Sequence, residues 1–137
     1  MNINQKIFVA FGFLSHALSG MQVMADTLHF DETQIEGSKF QFDNADAVKP
    51  EPNDFELLNY SLLSSESGER WAIITIENTS AGRRILKNEH VVATFANGNR
   101  SRAISLNERF KPGEVITRAV SFSHHPFPIV SVDVKPE

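Results

Sequence analysis

The chain has no cysteine and, among its 137 residues, a single tryptophan and a single tyrosine. The missing thiol excludes a disulfide framework, a thiolate zinc site, a cysteine nucleophile and a lipid-anchored N-terminal cysteine. Catalytic signatures are missing as well. There is no Gly-x-Ser-x-Gly elbow, no glycine-rich phosphate loop and no His-Glu-x-x-His helix. Paired carboxylates gather only between Asp43 and Glu56, in a stretch with two prolines that reads as exposed loop, where water keeps acidities ordinary. The sequence therefore reads as that of a protein that is not an enzyme, and no cofactor is expected.

Charge is nearly absent from the first 25 residues, and methionine from all the rest. Lys6 is the only charged side chain before Asp26, and Met1, Met21 and Met24 are the chain's only methionines. Lys6 closes a short positive region, and Ile7 to Leu14 supplies eight apolar residues before Ser15 and His16 interrupt. A membrane-spanning helix needs about 20 predominantly apolar residues, so this run has the length of a signal peptide. Val23-Met24-Ala25 places compact residues at the −3 and −1 positions and predicts cleavage before Asp26. The expected organisation is a signal over 1–25 and one domain over 26–137, with no stable membrane span after cleavage. A small exported domain without disulfides points to a bacterial periplasm or to secretion. The tripeptides at Asn78 and Asn99 match the glycosylation pattern but would mean nothing in a bacterium.

Beyond residue 26, apolar residues repeat with a period of two. In Arg70 to Glu77, Trp71, Ile73 and Thr75 alternate with Ala72, Ile74 and Ile76, so both faces are apolar and the strand should be central and buried. Trp71, Ile74, Phe95 and Phe122 are expected in the core. Further strands are predicted at Phe40 to Phe42, Phe55 to Leu63, Val91 to Phe95, around Ile104 to Leu106, Val115 to Phe122 and Ile129 to Val134. Asn97-Gly98 suggests a type I′ hairpin turn, and Lys111-Pro112-Gly113-Glu114 another turn. A short helical turn at Ala81 to Asn88 is allowed. Seven or eight strands at this spacing describe an all-β, antiparallel sandwich.

Four segments add a resemblance. Ile74 to Ser80, Val91 to Gly98, and Phe110 to Glu114 with Ala119 to Phe122 are similar to bacterial immunoglobulin-like envelope domains, over roughly residues 70–123. The resemblance implies an immunoglobulin-like sandwich and no particular activity, since that architecture hosts adhesion, assembly and ligand binding alike.

Charge layout limits the partners. From Asp26 to Gly82 there are 12 acidic and 3 basic residues, a balance of −9; from Arg83 to Arg118 there are 8 basic and 3 acidic, a balance of +5. Arg83, Arg84, Lys87, Arg100, Arg102, Arg109 and Lys111 fall on predicted turns and the hairpin, where they can meet an envelope protein or an anionic glycan. The plainer alternative is that basic and acidic strands lie side by side and neutralise one another. Nucleic acid is not expected from an exported, acidic chain lacking a basic-aromatic strip. A second candidate is a metal site at His124 and His125, completed by His29 or His90, although adjacent residues of an extended strand point to opposite faces. The sequence thus leads to an accessory binding module of the envelope, with periplasmic metal binding as its alternative and small glycan recognition behind both.

Overall fold

The computed structural model describes residues 26–32, 42–43 and 48–136. The expected signal, its cleavage junction and most of the strand expected at Phe40 to Phe42 lie outside those residues. The described chain is all-β, and every strand pairing is antiparallel. Among the described residues, no helix is long and apolar enough to cross a membrane.

Nine strands follow in order: β1 His29–Phe30, β2 Phe55–Ser64, β3 Glu69–Asn78, β4 Arg84–Lys87, β5 Val92–Phe95, β6 Arg100–Arg102, β7 Asn107–Phe110, β8 Val115–His124 and β9 Ile129–Asp133. They form a four-stranded sheet in the order β1-β2-β3-β8, a three-stranded sheet β6-β5-β9 and a two-stranded ribbon β4-β7. An isolated bridge from Ile104 to Ser121 continues the large sheet beyond β8.

The period of two in β3 does what it predicts on the inner face. Ala72, Ile74 and Ile76 are fully buried and meet Leu62 and Val120 from the neighbouring strands, with Phe95, Val132 and Phe110 from the smaller sheets. Trp71, Ile73 and Thr75 occupy the outer face and are only half-buried, which corrects the expectation that Trp71 belongs to the core. Trp71 Nε1 is nonetheless hidden and has no hydrogen-bond partner among the described residues. Thr75 and Thr117 join their hydroxyls on this outer face at 2.9 Å.

Three other expectations change. The segment that allowed a helical turn forms strand β4, followed by a 3-10 turn at Asn88–His90. The return strand of the hairpin is β6 at Arg100–Arg102 and not Ile104 to Leu106, so its side chains are mostly charged. Its turn is not type I′. Gly98 has positive φ and Asn97 does not; Gly98 N–H donates to Phe95 O, and Phe95 N–H to Asn99 O, which describes a longer loop ending on a left-handed glycine. Gly113 fills its left-handed position as expected, with φ of 69°.

Tyr60, the only tyrosine, projects from β2 toward β9. Burial pushes its hydroxyl above the ordinary value near 10, and the Asp133 carboxylate adds to the effect, against a hydrogen bond with the Val132 backbone. The neutral phenol is therefore favoured by folding. The unfolded chain ionises first, so this contribution to stability is complete below pH 10 and is lost as pH rises beyond it. An absorbance titration should place tyrosinate formation in the folded protein above that in denaturant. Coincident curves would show that Tyr60 is not held in this environment.

Candidate functional site

The ribbon β4-β7 sorts its charges onto two faces. Its register pairs Arg84 with Phe110, Ile85 with Arg109, Leu86 with Glu108 and Lys87 with Asn107. Leu86 and Phe110 point inward and are buried; Phe110 meets the ring of Phe55 edge-on, with centroids 5.0 Å apart. The charges sharing that inner face are neutralised. Arg84 Nε donates to Asp54 Oδ2 at 2.7 Å, and Glu108 accepts from Arg118 Nε and Nη2 at 2.7 and 3.2 Å. Glu108 accordingly raises the Arg118 pKa above its ordinary value.

The outer face holds Ile85, Lys87, Asn107 and Arg109. Beyond the last bonded pair, Arg84 with Phe110, continuing the register would bring Arg83 level with Lys111, and both line the same cleft. Residues two apart on a strand are separated by about 7 Å, so three rows result: Arg83 with Lys111, Ile85 with Arg109, and Lys87 with Asn107. Every row carries a cation. Arg83, Arg109 and Lys111 have no carboxylate within ion-pair distance among the described residues, and Lys87 only reaches Glu89 at 3.9 Å. Glu114 lies at the same place, but its carboxylate accepts the Lys111 backbone N–H at 2.6 Å and closes the turn.

Arg83, Ile85, Lys87, Arg109, Lys111 and Glu114, together with Arg84, His90 and Phe110, line an open cleft of about 730 Å³. Unneutralised cations grouped in a concavity reinforce one another's potential and attract anions from solution. The cleft presents an apolar centre, Ile85, flanked by positive charge.

Its position is fixed by Asn78 at the end of β3. The side chain is fully buried, and Nδ2 donates to Gly82 O at 2.8 Å and to Lys111 O at 3.0 Å. Oδ1 accepts from Ser80 N and Ser80 Oγ. The Asn78 backbone is bonded to Glu114 and Gly113. One amide thus ties the turn before Arg83 to the turn after Phe110, and this amide is not available to carry a glycan.

Of the seven cations named from sequence, Arg83, Arg84, Lys87, Arg109 and Lys111 come together here. Arg100 and Arg102 do not. Arg100 lies on β6 with a side chain only 9% exposed, bonded to Thr94 Oγ1, Val48 O and Asp133 Oδ2. Arg102 reaches Glu51 at 3.8 Å on the same side of the molecule.

The histidines are dispersed. His125 stacks on Phe95 with centroids 3.7 Å apart, and its Nδ1 accepts from Phe127 N–H at 3.1 Å. His124 ends β8 opposite Glu69, whereas His90 lies beside Phe55, opposite the far end of β3. Ten strand residues, about 30 Å, intervene. His29 lies on the far side of β2, at the edge of the sheet. No group of three or more potential metal ligands exists among the described residues.

Ile85 was not singled out in the sequence, and His90 only as a possible metal ligand. The place of Ile85 follows from pairing β4 with β7, which no local pattern announces. Comparison of the chain with protein-family models, with curated proteins and with solved structures finds no match.

Proposed function

We propose that this protein is a non-catalytic, exported interaction module of the bacterial envelope that binds an anionic partner in the β4-β7 cleft. In this reading residues 1–25 direct export and are removed, and the remaining chain forms an immunoglobulin-like sandwich. The observation that carries the reading is the grouping of cations around one cleft: of the five that line it, Arg84 is held by Asp54 and Lys87 only reaches Glu89 at 3.9 Å, while Arg83, Arg109 and Lys111 have no carboxylate within ion-pair distance among the described residues. Cations serving only solubility need no such grouping around a concavity.

Retention of the protein on immobilised heparin, a sulfated glycan probe, tests this. Arg83→Glu/Arg109→Glu/Lys111→Glu should lose most of the retention, with an unchanged thermal midpoint because none of the three makes an ion pair among the described residues. Arg102→Glu/Lys135→Glu, which reverses two exposed cations elsewhere, should retain most of it. Equal loss per reversed charge in both variants would mean that net charge alone governs binding, and the cleft would have no special part. Arg84 and Arg100 are unsuitable for this test because their ion pairs belong to the fold.

A further inference from the structure

One edge of β4 is bonded to β7, and among the described residues no strand pairs with the other. The ends of that second edge are already occupied. Arg83 O accepts from Arg84 Nη1 at 2.9 Å, and Lys87 N–H donates to His90 Nδ1 at 3.1 Å. Because Lys87 N–H faces away from β7, the two-residue alternation of an antiparallel ladder turns Ile85 N–H and C=O the same way. Ile85 is 41% exposed, and the cleft runs beside it. The edge therefore offers one donor and one acceptor, both on Ile85, bracketed by Arg83 and Lys87.

We infer that the partner contributes an extended acidic peptide segment that pairs with β4 through Ile85, with the pattern acidic-x-apolar-x-acidic. The inference rests on the cleft being the binding site and specifies its ligand. A residue directly opposite Ile85 exchanges both of its backbone hydrogen bonds with it and projects its side chain to the same face. Ile85 there calls for an apolar, preferably β-branched neighbour. Residues two before and two after stand about 7 Å away on either side, level with the Arg83/Lys111 row and the Lys87 row. Carboxylates at those two positions meet Arg83 and Lys111 at one end and Lys87, whose contact with Glu89 is long at 3.9 Å, at the other, and an extended strand holds them at that spacing without distortion. The motif reads the same in both directions. This is recognition by strand addition, in which main-chain bonds supply affinity and alternate side chains supply specificity. A glycan or a free anion could satisfy the cations but would leave Ile85 N–H and C=O to water.

Nuclear magnetic resonance of the isotope-labelled protein, titrated with acetylated and amidated Glu-Thr-Val-Thr-Glu, tests the inference. The Ile85 amide should show one of the largest shifts, and its hydrogen exchange should slow on binding. Methylating the central valine nitrogen removes one backbone donor and keeps every charge. That peptide should bind about tenfold more weakly, as expected for one lost hydrogen bond. Lys-Thr-Val-Thr-Lys should not bind. Equal affinity for methylated and unmethylated peptides, or an unmoved Ile85 amide, overturns strand addition while leaving the heparin result, and with it the anionic cleft, intact. Protection of Ile85 that grows with protein concentration in the absence of peptide would assign the edge to a second copy of the chain, and would also overturn the inference.

Discussion

Asn78→Ala should lower the unfolding free energy by about 3 kcal/mol, the cost expected when buried hydrogen-bonding groups lose their partners. For a domain of this size that corresponds to a fall of roughly 10 to 15 °C in the thermal midpoint. The effect is large because the lost side chain is itself fully buried and serves four bonds. Gly82 O loses its Asn78 donor, and Lys111 O loses one of two donors, since the Glu114 N–H remains. Ser80 N–H and Oγ–H lose their common acceptor. Asn78→Asp separates the two halves of the role. It keeps the acceptor for Ser80 but sets a carboxylate oxygen against two carbonyls, so it should cost at least as much as alanine. Ser80→Ala keeps the Ser80 N–H bond to Asn78 Oδ1 and both Asn78 donor bonds, removes only the bonds of Oγ to Asn78 Oδ1 and to Gly82, and should cost about 1 kcal/mol. Urea denaturation of the three variants checks the order. If Asn78→Ala matched Ser80→Ala, the donor bonds to the two turns would contribute nothing. Because those turns set the positions of Arg83 and Lys111, retention on heparin should also weaken in Asn78→Ala at temperatures where the protein is still folded.

The sequence shows Asn78 as the first of five turn-forming residues, and that reading is local. It misses the reach to Lys111 O, 33 residues away. The same boundary separates what was legible from what was not throughout the chain. The alternation at Arg70 to Glu77, the Pro112-Gly113 turn and the Val115 to Phe122 run are short-range patterns, and all three form the strands and turn they predict, although the outer face of the first stays half-buried. The strand β4 has no such pattern, because Arg84, Ile85, Leu86 and Lys87 bury a single residue, Leu86. Its identity as a strand comes from pairing with β7. Asn97-Gly98 placed the hairpin correctly, but the turn type depends on where the strands end, and Phe95 bonds to Asn99 instead of closing a two-residue loop. The cationic group was visible as composition, yet its organisation was not. Arg83 and Lys111 become neighbours only through a register set between residues more than 20 apart. The paired and unpaired cations of one strand cannot be told apart without knowing where Asp54 and Glu108 lie.

Arg100 makes that distinction testable, since sequence groups it with Arg83 while structure gives it an internal role. Its guanidinium joins β6 to Thr94 on β5, to Asp133 on β9 and to Val48 in the preceding loop, so one side chain spans the whole three-stranded sheet and fastens a loop to its end. Arg100→Met keeps the length and the apolar stem but leaves Val48 O, Thr94 Oγ1 and the Asp133 carboxylate without this partner. Breaking a fully buried ion pair costs about 3 to 5 kcal/mol. Asp133 is 31% exposed on its side chain, so water recovers part of that loss and about 2 kcal/mol is the expected destabilisation. Asp133→Asn in the Arg100→Met background removes the stranded charge and should restore part of the stability, a positive coupling that a double-mutant cycle measures directly. Additive losses in the cycle would show that the two side chains act independently and that the ion pair contributes nothing. Retention on heparin discriminates further: Arg100→Met removes a formal charge as Arg83→Met does, but lies on a different sheet from the cleft. Arg83→Met should reduce retention and leave the denaturation midpoint unchanged, while Arg100→Met should lower the midpoint and leave retention close to that of the parent protein. A common effect of both substitutions on retention would extend the anion-binding surface from the β4-β7 ribbon to β6, and Arg100 would then have to release Asp133 to take part.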